Sequence, residues 1–137
     1  MEKINFENKP STNSPINATN LNLLQDNVEN AINEIINSQN LLSNGYIRFD
    51  NGFQIAWVTN TIDGEETVWN GIHYKEKYMG NWPVPFVTIF GAYSNQNGDG
   101  WTGIRNYSTT NVGNIRAFRP NTVGTPIITA IGFGTWK

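Results

Sequence analysis

The chain has 137 residues, no cysteine, a single histidine and no dense group of basic residues. The absence of cysteine excludes disulfides, cysteine–zinc sites and thiol catalysis. Nine Lys and Arg against eleven Asp and Glu give a net charge of −2, and this scattered basic charge does not form the positive footprint that nucleic-acid binding needs. No apolar run approaches the ~20 residues of a membrane span. We therefore expect neither a nucleic acid nor a membrane as partner.

The first residues are polar and contain no apolar segment of the kind that a signal peptide needs. We expect a protein that is made in the cytoplasm and leaves it only by lysis or within a larger particle. Pro10 and Pro15 forbid a continuous helix over residues 1–16. This stretch is interpreted as an extended arm that attaches the chain to another protein, the alternative being a disordered tail.

A seven-residue repeat follows the arm and indicates one apolar seam along a helix. The seam residues are Leu21, Leu24, Val28, Ala31, Ile35 and Leu42. Asn17 is a plausible N-cap and Gly45 a plausible C-terminal stop, so a helical stem is predicted over residues 17–44. The wide stripe and polar outer face favour a parallel trimeric coiled coil. The alternative is one amphipathic helix folded against its own β domain.

Residues 45–137 are aromatic, β-branched and rich in glycine, which predicts a head domain of short strands. Asn51-Gly52 between two such segments is the strongest two-residue hairpin signal. Further strands are predicted from Glu66, Ile72, Phe86, Thr102, Ile115 and Ile127 onward. Strands at short, regular intervals are typical of an antiparallel β-sandwich. The expected fold class is therefore mainly β, with the arm and stem preceding a small sandwich.

Catalysis is poorly supported by the residues present, and no enzyme activity is expected. His73 lies in a predicted strand without a nucleophile motif nearby, so a structural or surface role is expected. The acidic residues of the head fall mostly in turn segments, whereas glycoside cleavage needs two placed carboxylates. Residues 95–100 resemble the first half of a calcium loop, but the closing position, Asn106, is not acidic. We expect no cofactor and no metal.

Carbohydrate binding is the more informative possibility. Sugars are held by aromatic faces, while amides, carboxylates and guanidinium groups bind their hydroxyls. One stretch offers that mixture: Tyr93, Asn95, Asn97, Asp99, Trp101, Arg105 and Tyr107. A second aromatic set consists of Trp69, Tyr74, Tyr78 and Trp82. The alternative is that many of these aromatic residues belong to the core or to a subunit interface.

Three segments, in this order and spacing, resemble the C-terminal domains of bacteriophage and prophage tail fibres, which are receptor-binding proteins. Residues 45–57 are similar to their opening GY…NG…W motif, Trp82–Phe86 to a Pro-containing segment before a long strand, and residues 128–134 to their closing strand. The arm and early stem also resemble a linker found in phage structural proteins.

The resemblance implies a trimer of small antiparallel β-sandwiches, similar to H-type lectins, carried on a helical stem and binding bacterial surface glycans. We therefore expect a non-enzymatic homotrimeric fibre located in the virion. Residues 1–16 would attach it to a phage virion protein, and residues 45–137 would adhere to host-surface carbohydrate. The alternatives are a capsid-decorating head fibre without a specific ligand and a small glycan hydrolase.

Overall fold

A computed structural model describes residues 18–137, which form one helix and nine strands. The helix α1 spans Ala18–Ser38. The strands are β1 (Gln39–Asn40), β2 (Gly45–Arg48), β3 (Phe53–Thr61), β4 (Thr67–Trp69), β5 (Ile72–Tyr78), β6 (Thr88–Gln96), β7 (Trp101–Arg105), β8 (Asn114–Arg119) and β9 (Ile127–Thr135). The predicted arm and Asn17 N-cap lie outside the described residues. No helix within residues 18–137 has both the length and the apolarity to cross a bilayer.

The helix is shorter than the sequence predicts. It ends at Ser38, where the side-chain Oγ donates to the Ile35 carbonyl at 2.8 Å. Gln39 and Asn40 then pair with β2 as a short strand, because tertiary strand pairing overrides the weak helical preference of this polar stretch. Leu42 therefore lies outside the helix, and its assignment to the seam is corrected. The chain divides into two compact units after Ser38, and we describe each unit separately.

Along α1 the apolar residues recur as predicted, and the side chains of Leu24, Val28 and Ile35 are exposed. Polar residues separate them, including Asp26 and Glu29. The helix by itself therefore carries an apolar stripe that its own turns do not bury.

The β unit consists of two antiparallel sheets, so the prediction of a mainly β fold is confirmed. The five-stranded sheet has the order β1-β2-β3-β9-β6, and the four-stranded sheet has the order β4-β5-β8-β7. A hairpin that contains Asn51-Gly52 joins β2 to β3, but its loop is longer than the two residues predicted, because Phe49 pairs with Phe53 and the Gly52 N–H donates to the Phe49 carbonyl. Gly52 has a positive φ of 91°. Strand β5 has the bounds that its residue pattern predicts, Ile72–Tyr78.

One apolar core takes side chains from both sheets. The buried residues include Ala56 and Val58 of β3, Ile128 of β9, and Ile115 and Ala117 of β8. Their neighbours along each strand point away from this core, as the two-residue period of a strand requires.

Two glycines of β9 make room for the largest core side chains. A Cβ on Gly132 would lie 2.9 Å from the indole of Trp82, and one on Gly134 would lie 3.0 Å from the ring of Phe86. Trp82 and Phe86 pack edge to face at 5.7 Å. The motifs that suggested a tail-fibre resemblance around residues 82–86 and 128–134 are therefore packed directly on one another.

The two sheets differ sharply in charge. Strands β3, β6 and β9 contain no Asp, Glu, Lys or Arg, whereas β5 and β8 contain a carboxylate and four basic residues between them. Charged side chains lie where water or an opposite charge stabilises them, so the outer surfaces of the two sheets have different chemistry.

Candidate functional site

The outward surface of the four-stranded sheet carries the densest group of interacting polar and aromatic side chains on the β unit. Strand pairing places Glu76 opposite Arg116, Tyr74 opposite Phe118, and Trp101 opposite Phe118 on its other side. We call this group the Glu76 cluster; its members are Tyr74, Glu76, Trp101, Arg105, Asn114, Arg116 and Phe118.

The Glu76 carboxylate lies at the centre of the cluster, accepts hydrogen bonds from two side chains and forms an ion pair with a third. Asn114 Nδ2 donates to Oε1 at 2.9 Å. Arg116 Nε donates to Oε2, and Arg105 Nη1 lies 3.5 Å from the same oxygen. Two cations against one anion leave the cluster with a net positive charge, and the two hydrogen bonds orient the carboxylate.

These contacts shift the ionisation of both partners. The hydrogen bond from Arg116 is the main cause that holds the pKa of Glu76 below its usual range, opposed by partial burial and assisted by Asn114. The same hydrogen bond raises the pKa of Arg116. Glu76 is therefore a carboxylate at neutral pH and is unsuited to give up a proton as a general acid.

The aromatic rings form a continuous row across three strands. Trp101 of β7 stacks on Phe118 of β8 with ring centroids 5.7 Å apart and planes 9° from parallel. Phe118 in turn lies 5.8 Å from Tyr74 of β5. The guanidinium carbon of Arg116 lies 4.9 Å from the Tyr74 ring centroid, within cation–π range. Trp101 remains half exposed, so one ring face is open to a ligand.

A glycine opens the surface next to the arginine. Gly103 of β7 pairs with Arg116, and a Cβ there would meet only the Phe118 ring, at 3.8 Å. Arg116 donates to Glu76 through its Nε. Within residues 18–137 its two Nη groups donate no further hydrogen bond to protein. The cluster thus combines the exposed ring face of Trp101, the space above Gly103 and the Nη donors of Arg116.

This arrangement suits the binding of a polyhydroxylated ring. Aromatic faces pack on the C–H surface of such a ring, while guanidinium, amide and carboxylate groups bind its hydroxyls. Glu76 is the single carboxylate in strands β5, β7 and β8. The pair of carboxylates that glycoside hydrolysis generally uses is thus not supplied by these three strands.

The structure distributes the predicted ligand residues over three places. Trp101 and Arg105 belong to the Glu76 cluster. Tyr93 and Asn95 lie on β6 in the other sheet and face outward. The remaining three, Asn97, Asp99 and Tyr107, lie in irregular segments before and after β7.

One of these loop residues has a structural contact that accounts for it. The Asn97 side-chain oxygen accepts from the backbone N–H of Ile127 at 2.8 Å and so ties the turn to the start of β9. Gln96 beside it is buried, with its amide donating to two backbone carbonyls. Two residues of the calcium-like loop, Gln96 and Asn97, thus have structural contacts, and residues 18–137 contain no group of three or more His, Cys, Asp or Glu able to hold a metal ion.

Of the second predicted aromatic set, Tyr74 joins the cluster, whereas Trp82 is 4% exposed and belongs to the core. Its indole N–H donates to the Ser108 carbonyl at 3.0 Å. This outcome matches the alternative that part of the aromatic content is core.

Sequence reasoning did not single out Glu76, Arg116 and Phe118. In β8 the alternation of Arg116 and Phe118 with apolar Ile115 and Ala117 indicates that they face outward, whereas β5 has no alternation that marks Glu76. Their contact depends on the pairing of two strands about 40 residues apart, as the Arg116–Glu76 hydrogen bond illustrates. A single sequence does not contain that pairing.

His73 has the structural role that the sequence suggests. Its Nδ1 lies 2.7 Å from Glu66 Oε1, and Glu66 Oε2 accepts from the Val123 backbone N–H at 2.5 Å. The hydrogen bond from Val123 is the first cause that lowers the pKa of Glu66, followed by that from His73. The pair therefore fastens the loop before β9 to the four-stranded sheet.

No family model and no curated protein matches the chain. Two solved structures are similar to part of it. An N-truncated R2-type pyocin tail fibre has a TM-score of 0.46 and 23% identity, over 70% of this chain and 36% of that chain. A C-terminal fragment of the R2 pyocin fibre of P. aeruginosa has a TM-score of 0.47 and 23% identity, over 70% of this chain and 25% of that chain. The chain thus spans about a third or less of the length of these fibre structures, at low identity.

Proposed function

We propose that this protein is a receptor-binding fibre of a phage virion that adheres to host-surface glycan through the Glu76 cluster. The observation that carries the proposal is the convergence of a half-exposed tryptophan, two arginines and an oriented carboxylate on one open sheet surface. The proposal retains Trp101 and Arg105 from the predicted ligand residues and adds Glu76 and Arg116. No covalent chemistry is involved.

The proposed assembly is a homotrimer in which the two sheets of each head form a β-sandwich. The apolar stripe of α1, with Leu24, Val28 and Ile35 as its exposed residues, would join three helices in a parallel coiled coil. Residues 1–16 would attach the fibre to another virion protein. A helix with an unburied stripe is more stable when copies of that stripe meet.

Trimer formation supplies the affinity that one site lacks. A single site with a dissociation constant of about 1 mM contributes only about −4 kcal/mol of binding free energy. Three linked sites on one head, and many heads on one particle, raise the avidity by ~10²–10⁴ without any new contact. The proposed mechanism of attachment is therefore weak binding at each site, multiplied by the number of sites.

The test is binding of the purified protein to an array of bacterial cell-wall and capsule glycans, followed by calorimetry on the strongest hit. Trp101→Ala should weaken binding about tenfold or more, because it removes the open stacking face. Arg116→Lys keeps the charge but removes the planar fork of donors, so it should also weaken binding. Phe49→Ala, an exposed aromatic residue outside the cluster, is the matched control and should bind as the unmodified protein does.

Two outcomes would contradict the proposal. Silence across the whole array would favour a capsid-decorating fibre without a ligand. Release of new reducing ends from host capsule or wall, abolished by substitution of Glu76, would show that the protein is a hydrolase and not an adhesin.

A further inference from the structure

The outward surface of the five-stranded sheet is apolar, although an antiparallel sheet with one buried face usually exposes a polar one. On β3 the outward positions are Phe53, Ile55, Trp57 and Thr59; on β9 they include Ile131 and Phe133; and on β6 they include Tyr93. Strand pairing aligns Trp57, Ile131 and Tyr93 in one row across the sheet. We call this surface the charge-free face.

Two glycines let aromatic rings lie flat on this face. A Cβ on Gly45 would lie 2.6 Å from the Trp57 indole, and one on Gly91 would lie 2.8 Å from the Phe133 ring. Each ring therefore covers the glycine of the neighbouring strand and lies along the sheet. The result is a smooth surface that another smooth apolar surface can contact closely.

The face exposes large apolar side chains to the surroundings of the β unit. Tyr93, Ile131 and Phe133 are exposed by 62%, 38% and 40%, and Phe53, Ile55 and Trp57 of β3 are partly exposed beside them. A contiguous apolar patch on a protein surface marks a contact site.

The charge of the face identifies the partner. Because β3, β6 and β9 contain no charged residue, the face has nothing to pair with a charged surface, and it would leave any such charge desolvated. A second copy of the same face also has no charged residue in β3, β6 or β9, so contact between two copies would leave no charge desolvated. We infer that the charge-free face is covered by the same face of other copies of this chain, so that the heads as well as the helices hold the assembly together. This inference rests on the homotrimer of the proposed function.

Photo-crosslinking of the full chain tests the inference directly. Tyr93→p-benzoylphenylalanine places the reactive group on the face, and Val68→p-benzoylphenylalanine, at an exposed position of β4 in the other sheet, is the matched control outside it. Irradiation of the Tyr93 variant should give an adduct of twice the chain mass whose cross-linked peptide comes from β3, β6 or β9 of another copy. The control should give at least tenfold less of this adduct. Ile131→Glu in the Tyr93 variant should reduce the adduct at least tenfold, because a charge at the centre of the face cannot be paired.

Two results would overturn the inference. Absence of the doubled-mass adduct would show that the face is open, and a cross-link within one chain to the α1 peptide would show that the helix covers it. Sugar binding measured on the same variants separates this test from that of the proposed function. Because the Glu76 cluster lies on the other sheet, the affinity per site should stay within twofold of the unmodified protein. Binding without the adduct would reject the inference alone, and the adduct without binding would reject the glycan site alone.

Discussion

Replacement of Gly134 by alanine should force apart two paired strands. The new Cβ would lie 2.0 Å from the Thr88 carbonyl oxygen and 2.9 Å from the Ile89 Cα, both backbone atoms of β6. Backbone cannot swing aside as a side chain can, so β6 must move away from β9 by more than 1 Å to reach ordinary contact distance. The ladder bonds on either side, including that of Val87 N–H to the Thr135 carbonyl at 2.8 Å, would stretch or break.

The expected cost combines these effects. Overpacking in a close-packed region costs about 1–3 kcal/mol, and two weakened backbone hydrogen bonds add roughly 1–2 kcal/mol. We therefore expect Gly134→Ala to destabilise the β unit by about 3–4 kcal/mol. With a urea m-value of about 2 kcal/mol/M for a unit of this size, the unfolding midpoint should fall by about 1.5–2 M. Tryptophan fluorescence can follow the transition, at one fixed chain concentration because assembly shifts the apparent stability.

Gly91→Ala is the matched control on the strand paired with β9. Its Cβ would lie 2.8 Å from the Phe133 ring, but this ring is 40% exposed and can rotate away. Neither glycine has a positive φ, so alanine strains neither backbone. We expect a cost below about 1 kcal/mol, partly offset by the lower entropy of the unfolded chain. Equal midpoints for the two variants would refute the reasoning, since the only difference between them is whether backbone or a mobile ring blocks the new carbon.

Three further expectations follow from other parts of the molecule. Trp82→Ala should cost about 3–5 kcal/mol in the same urea assay, because it empties the core beside β9; a loss below 1 kcal/mol would contradict the assigned core. Glu76 has a lowered pKa, so its stabilising contribution is present above the ordinary glutamate pKa and is lost as the pH falls through the lowered one. The midpoints of the unmodified protein and Glu76→Gln should therefore converge in acid, and a gap independent of pH would count against the ion pair. Val28→Asp with Ile35→Asp should raise the concentration below which light scattering detects monomers by at least tenfold, because only the contact between heads is left; an unchanged dissociation would show that the helices do not contribute to the assembly.

Much of the secondary structure was predictable because its causes are local. The Asn70-Gly71 turn residues precede β5, Asn51-Gly52 indicated a hairpin between β2 and β3, and the seven-residue spacing indicated α1. Each of these patterns depends on residues close together in the chain, where propensity and periodicity act directly. The end of α1 was predicted six residues too late, since β1 exists only through its pairing with β2.

The candidate site was predictable only in part, for the same physical reason. Trp101 and Arg105 were identified as polar and aromatic candidates, but Tyr93 was grouped with them although it lies on the opposite sheet. The chain changes sheets between β6 and β7, so residues eight positions apart face different surroundings. Glu76 and Arg116 meet only because β5 pairs with β8. By itself the sequence determined that a helix precedes a region of strands and that no cysteine chemistry is available. The tertiary structure alone decided which side chains share a surface, because strand order and register bring together residues that are distant along the chain.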